Sequence, residues 1–212
     1  MTALLQVGNL PTEIISPLCK DFDTLTPNLY KDGSYRLRRY SKIIYDKHTK
    51  EIALLRGSQF VQSEEFNKFQ GGVVRQYDDL SDELLQSKGF LTIVDTFAKK
   101  GELPDSATIE IHQIRVVAKD PTTPTVTTPE GIHQDGYDRI GMFTINLADA
   151  QGGDLCVYKA NDKKTLITTI PSKMGAYCVM DDDKLWHYGT DLIADKQSGH
   201  WDLFVLTASL SS

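Results

Sequence analysis

The chain is poor in cysteine. Cys19, Cys156 and Cys178 are three in 212 residues, far apart and without a Cys-x-x-Cys pair. An odd, scattered set builds neither a disulfide framework nor a zinc knuckle, so reduced, mostly buried thiols in a cytoplasmic protein are expected. An excess of positive charge is also missing. There are 23 Lys and Arg against 29 Asp and Glu, the net charge is -6 and the pI is near 5.3, so the basic stripe required by a nucleic-acid partner is absent. No apolar run approaches the ~18 residues of a membrane span, and residues 1–10 lack the basic start and long apolar stretch of a signal peptide. No repeat of fixed period is evident. These absences leave small-molecule chemistry. The length suits one domain over 1–212 that encloses its own core, with the oligomeric state open.

Residues 1–33, with Pro11, Pro17 and Pro27, read as an N-terminal covering segment of short helices and turns. From Tyr35 two β-rich runs follow, the first carrying Arg36, Arg38 and Arg39, which read as a solvated strand face. Between Asp79 and Lys100 the apolar residues fall near helical spacing, Ser81 suggests a helix start, and Gly89 is the expected point of division into two helices. Beyond Pro104 the chain is almost all strand: 108–117, 139–147, 154–159, 165–170, 176–180, 185–188 and 201–208, with turn residues between them. Many short strands at ~10-residue spacing predict a sandwich or barrel. The stretch Asp120–Pro129, rich in Pro and Thr, is a loop and a candidate lid.

The chemistry concentrates in His133-Gln134-Asp135 and His187. In an extended segment residues two apart share a face, so His133 and Asp135 can grip one ion while Gln134 points away. Fifty residues is about the length of three or four short strands, enough for His187 to return beside them. Two imidazoles and a carboxylate on one face of iron(II) leave three positions open, the requirement for dioxygen chemistry. A second triplet, His200-Trp201-Asp202, sits in an apolar run that reads as a terminal strand and has no later histidine. Tyr137, Asp138 and Trp186 are neighbours that would shape a pocket.

The order of these motifs resembles a known family. Gln113-Ile114-Arg115, the proline-rich loop, Glu130-Gly131-Ile132-His133-Gln134-Asp135-Gly136, Gly152-Gly153-Asp154, and Asp181-Asp182 ahead of Trp186-His187 look like the bacterial Fe(II)/2-oxoglutarate-dependent dioxygenases that hydroxylate free amino acids, the L-isoleucine 4-hydroxylase-like family. Gln62, Asn67, Gly71, Gly72 and Arg75 add to the likeness, which covers residues 34–210. The resemblance implies a mainly β fold with flanking helices, the double-stranded β-helix or jelly roll of cupins. It also implies Fe(II) on His133, Asp135 and His187, 2-oxoglutarate and O2 as cosubstrates, and a free amino acid or close derivative as substrate. One position departs from the pattern. Where the family carries an arginine for the far carboxylate of 2-oxoglutarate, this chain has Trp201. A buried carboxylate without a cationic partner is costly, so either the cosubstrate differs or another residue supplies the charge, the candidates being Arg115, Arg139, Lys173 and His200.

Two other classes stay open from the sequence. One is a metal-dependent, non-oxidative enzyme on the same jelly roll, with zinc or manganese as a Lewis acid. The other is a non-catalytic binding protein with a degenerate 2-oxoglutarate site.

Overall fold

A computed structural model describes residues 4–210. In chain order the elements are β1 (Leu5–Asn9), the short helices α1 (Thr12–Ile15) and α2 (Cys19–Phe22), β2 (Arg36–Asp46), β3 (Ile52–Leu55), β4 (Gln59–Phe60), β5 (Arg75–Gln76), α3 (Asp82–Gln86), α4 (Lys88–Lys100), β6 (Ser106–Ala118), β7 (Arg139–Ala148), β8 (Ala150–Gln151), β9 (Leu155–Tyr158), β10 (Leu166–Ile170), β11 (Ala176–Asp181), β12 (Trp186–Gly189), β13 (Ile193–Ala194) and β14 (Gly199–Ala208). Seven strands form an antiparallel sheet in the order β1-β11-β7-β14-β6-β2-β3, and β10-β9-β12 form a smaller sheet facing it. His133 pairs with His187 as an isolated bridge, adding a fourth row to the small sheet beside β12. Two facing antiparallel sheets with helices on one outer face make a jelly roll.

Period-two alternation decides which face each residue takes. On β6, Ala107, Ile109 and Ile111 point outward, as do Ile43 and Tyr45 of β2 and Phe204, Leu206 and Ala208 of β14. They bury against Phe90, Ile93, Val94 and Phe97 of α4. The opposite face turns inward. Ile140, Cys178 and Met180 there meet Leu155, Val157 and Ile170 of the small sheet to form the core between the sheets. The inner residues Ile114 and Val116 of β6 and Trp201 and Leu203 of β14 pack with Ala150, Leu192 and Ala194 in a second cluster, and with the inner face of β2 they also border a cavity. Among the described residues no helix is long and apolar enough to cross a membrane.

Two details depart from expectation. The helical stretch divides at Ser87, not Gly89: the Ser87 hydroxyl accepts from the Phe90 amide and caps α4, much as Ser81 caps α3 by accepting from Leu84. Gly89 lies in the first turn of α4, where a Cβ would sit 2.6 Å from the Ile14 carbonyl. The N-terminal segment also does more than cover. Its β1 pairs antiparallel with β11 and extends the large sheet. That edge strand depends on a partner far along the chain, and its own alternation is too weak to announce it.

Candidate metal centre and cavity

His133, Asp135 and His187 converge, with one ligand atom from each lying within 4.8 Å of the others. Reciprocal amide-to-carbonyl bonds between His133 and His187, at 3.0 and 2.9 Å, put the two imidazoles side by side with ring centroids 4.2 Å apart. Beyond His133 the chain is not a regular strand. It curls so that the amides of Asp135, Gly136 and Tyr137 all donate to the Asp182 carboxylate, at 2.9, 2.8 and 3.1 Å. Gly136 allows the curl with φ +88, a conformation that L side chains rarely adopt. Asp182 thus sets the backbone that presents Asp135.

Proton positions suit the same chemistry. His133 Nδ1 lies 2.9 Å from the Gly131 carbonyl oxygen, so its proton belongs there and the Nε2 lone pair faces Asp135 at 3.7 Å. His187 Nε2 stands 3.4 Å from Asp135, while its buried Nδ1 faces Asp182 at 3.8 Å. Burial opposes ionisation of Asp135, but the His187 hydrogen bond and both imidazoles outweigh it and hold the carboxyl well below the usual carboxylate range. Burial and the charge of Asp135 push Asp182 up to about 6, against the pull of His187 and its backbone donors. Gln62 Nε2 donates to Asp135 Oδ1 at 2.8 Å and fixes the carboxylate's rotation. Two imidazole nitrogens and an ionised carboxylate, each oriented by a neighbour, are a donor set that fits ferrous iron.

The trio opens onto a cavity of ≈ 100 Å³. A single water needs about 10–15 Å³ on that measure, so there is room for roughly seven to ten non-hydrogen atoms. The end formed by β7, β9 and β14 is apolar, with Met142, Leu155, Trp201, Leu203 and Val205. The end formed by β2 and β5 holds Arg36, Arg38 and Arg75, and His112 lies between the two on β6, opposite Val205. Burial first, and then Arg38, keep His112 well below its ordinary range, hence neutral. The pairing register explains the arginines. Arg36 lies opposite Val116 and Arg38 opposite Ile114, both inward positions of β6, whereas Arg39 falls on the other face and reaches the Thr24 carbonyl. Arg36 and Arg38 are therefore not a solvated face.

None of the four cations proposed to replace an arginine at 201 borders the cavity. Arg115 is on the outward face, holding Asp202 through Nε and Nη2 at 2.6 and 2.8 Å and Asp23 at 2.9 Å. His200 shares that face, 3.5 Å from Asp202. Arg139 is tied to the Gly101 carbonyl and Asp181, and Lys173 is exposed in a turn. Parity excludes Arg115 and His200, because Trp201 is the inward residue of its triplet. The second His-x-Asp is thus an ion-pair site with Arg115. Of the neighbours expected to shape the pocket, Tyr137 lines it, donating to Glu110 at 2.8 Å; Trp186 and Asp138 do not.

The 120–129 loop is no free flap. Thr125 bridges to Leu192, Thr127 Oγ1 donates to the Gly189 carbonyl at 2.7 Å, and Thr128 Oγ1 accepts from the Gly189 amide at 2.9 Å. Sequence reading missed the Arg36/Arg38 wall, although alternation through β2 carries the signal. It also missed the role of Asp182, whose partners lie 45–47 residues away.

A jelly roll with this trio at the mouth of an inner cavity is the architecture of a non-haem metal oxygenase. The sequence profile of the 2OG-Fe dioxygenase family matches residues 19–207, and the chain belongs to that family, which implies Fe(II), 2-oxoglutarate and O2. It is 29% identical over 179 residues to L-isoleucine-4-hydroxylase of Bacillus thuringiensis, covering 81% of this chain and 72% of the relative. It is 28% identical over 149 residues to 3(1)-hydroxy-L-isoleucine 4-dioxygenase of Pantoea ananatis (strain AJ13355), covering 66% of this chain and 58% of that one. Among solved structures, a bsmA homolog from Methylobium petroleophilum PM1 superposes with a TM-score of 0.77 at 23% identity, over 95% of this chain and 83% of that one. IDO from Bacillus thuringiensis superposes with a TM-score of 0.75 at 21% identity, over 97% and 94%. These two likenesses establish the fold.

Proposed function

We propose that this protein, acting as one domain, uses Fe(II) held by His133, Asp135 and His187 to hydroxylate a free aliphatic L-amino acid or a close derivative at the expense of 2-oxoglutarate. The observation that carries the reading is the convergence of the three donor side chains within 4.8 Å at a small inner cavity. The amino-acid class comes from the two relatives, whose names specify isoleucine and hydroxyisoleucine. When bound, ferrous iron with 2-oxoglutarate and dioxygen supplies the power to insert oxygen into a C–H bond. The chain's own part is positioning. Gln62 and Asp182 fix the ligands, and Leu155, Leu203 and Val205 exclude water from the apolar end.

The test is anaerobic iron loading, then addition of 2-oxoglutarate and dioxygen, with succinate measured across a panel of aliphatic amino acids. Succinate formation coupled to one amino acid, and its loss in Asp135→Ala, is the expected result. Iron binding without succinate for any amino acid would refute the proposal. Trp201 favours a second reading, a metal-binding protein without turnover, since the position where the family anchors 2-oxoglutarate carries no charge. Iron binding with no affinity for any 2-oxo acid would select it.

A further inference from the structure

Trp201 is the inward residue of β14 at the apolar end. Its Nε1 donates to Thr144 Oγ1 at 3.3 Å, and its ring packs where a Cβ on Gly153 would touch it at 3.0 Å. The space behind it is a separate cavity of ≈ 20 Å³, room for about one or two waters. A carboxylate at this end meets indole and aliphatic carbon and no cation.

Two cations at the other end are unmatched. The Arg75 side chain is only 2% exposed, its guanidinium lies 4.4 Å over the Phe60 ring, its buried Nε has no partner, and its Nη2 reaches only Gln62 Oε1 at 3.4 Å. Arg38 lies 5.5 Å over the Tyr77 ring. Among the described residues no carboxylate comes within 4.0 Å of either. The nearby acids are engaged elsewhere: Asp32 and Glu130 with Arg36, Asp135 with the histidines and Gln62, and Glu110 with Tyr40, Tyr137 and Lys42. An aromatic face holds a guanidinium flat but leaves its edge N–H donors free. A buried cation without counter-charge is costly, and Arg75, with the half-buried Arg38 on the same cavity, leaves unfilled donors that suit an anion.

We propose that Arg38 and Arg75, presented from β2 and β5, form a carboxylate-binding subsite of the cavity. Gln62 touches both Arg75 and Asp135, so a small carboxylate in the subsite lies one amide away from the metal ligands. The ligand chemistry is a carboxylate next to a short carbon chain. Its two sources are the remote carboxylate of the 2-oxo diacid and the carboxylate of the amino acid. The inference rests on reading the cavity as the active site.

Isothermal titration of the manganese-loaded protein with 2-oxoglutarate, pyruvate, L-isoleucine and L-isoleucinamide tests it, comparing wild type with Arg38→Gln, Arg75→Gln and Arg75→Lys. Loss of one charge-assisted contact is expected to weaken carboxylate binding about ten- to hundredfold in each Gln variant, with partial rescue in Arg75→Lys and unchanged manganese affinity. A loss seen with 2-oxoglutarate but not with pyruvate assigns the subsite to the cosubstrate. A loss with isoleucine but not with its amide assigns it to the substrate. If Arg75→Gln does not fold, Arg38→Gln, on a more exposed residue, decides between the outcomes. Wild-type affinity for both carboxylates in the Gln variants, or no carboxylate binding by wild type, overturns the proposal. A wild type that binds no manganese refutes the functional reading instead, and the same titrations on metal-free protein then decide the subsite separately.

Discussion

Removing the Asp182 carboxylate tests whether the metal ligands are positioned from a distance. In Asp182→Ala the amides of Asp135, Gly136 and Tyr137 lose their common acceptor, and His187 Nδ1 loses the anion 3.8 Å away. A hydrogen bond to a charged group contributes about 1.5–3 kcal/mol, but the three share one carboxylate that is itself fully buried, and desolvation offsets part of the gain. A net loss of about 2–4 kcal/mol is the expected scale, which for a chain of this size lowers the melting temperature by roughly 5–15 °C. The larger consequence is local. Freed from Asp182, the 135–137 backbone is no longer held in its curl, and loss of such an orienting group typically costs about 10- to 100-fold in metal affinity. Manganese titration at a temperature where the variant is folded, paired with melting curves with and without metal, separates the two effects. Asp182→Asn keeps one acceptor oxygen and should fall between wild type and Ala. If Asp182→Ala binds manganese as tightly as wild type, the carboxylate supports only the fold and the positioning argument is refuted.

Other substitutions distinguish the two His-x-Asp triplets: Asp135→Ala should abolish stoichiometric metal binding, whereas Asp202→Ala should retain it while losing about 1–3 kcal/mol of stability, because Arg115 loses its bidentate partner and keeps only Asp23. Retained metal in the first variant and lost metal in the second would reverse the assignment. Asp95 carries a pH dependence: burial opposes its charge, but hydrogen bonds from Lys50, Lys99 and Tyr45 bring it down to about 2. A lowered carboxylate contributes stability that is full above its unfolded value near 3.8 and is lost as pH falls toward 2. Because its lysine partners are solvent-exposed the amount is about 1 kcal/mol, and urea melts of wild type and Asp95→Asn should differ at pH 6 and converge near pH 2. Thr127→Val removes the donor to the Gly189 carbonyl and should cost about 1 kcal/mol while admitting protease at 125–128; an unchanged cleavage pattern would mean the Thr125–Leu192 bridge and the Thr128 hydroxyl hold the loop without it.

The longer strands were legible in the sequence because they advertise themselves locally, whereas β1 and the two-residue strands β4, β5, β8 and β13 do not. Alternation over 108–117 anticipated β6 at Ser106–Ala118, and turn residues bounded 139–147 and 201–208 within two residues of β7 and β14. The meeting of His133, Asp135 and His187 was legible from residue type and spacing, although the 135–137 segment curls onto Asp182 where alternation expects a strand, and five strands, not three or four, lie between His133 and β12. What the sequence could not fix was the environment on each side of the sheet. Arg36, Arg38 and Arg115 are equally cationic in one dimension. Pairing of β2 with β6 and of β6 with β14 sends the first two into the cavity and the third beneath the N-terminal helices. Asp182 looked like one acid in a run of three, and only the return of β11 and β12 beside the 133–137 segment makes it the acceptor for three amides. Alternation and spacing are properties of the chain by itself; which face is inside, and which charge meets which, is decided when distant strands take their register.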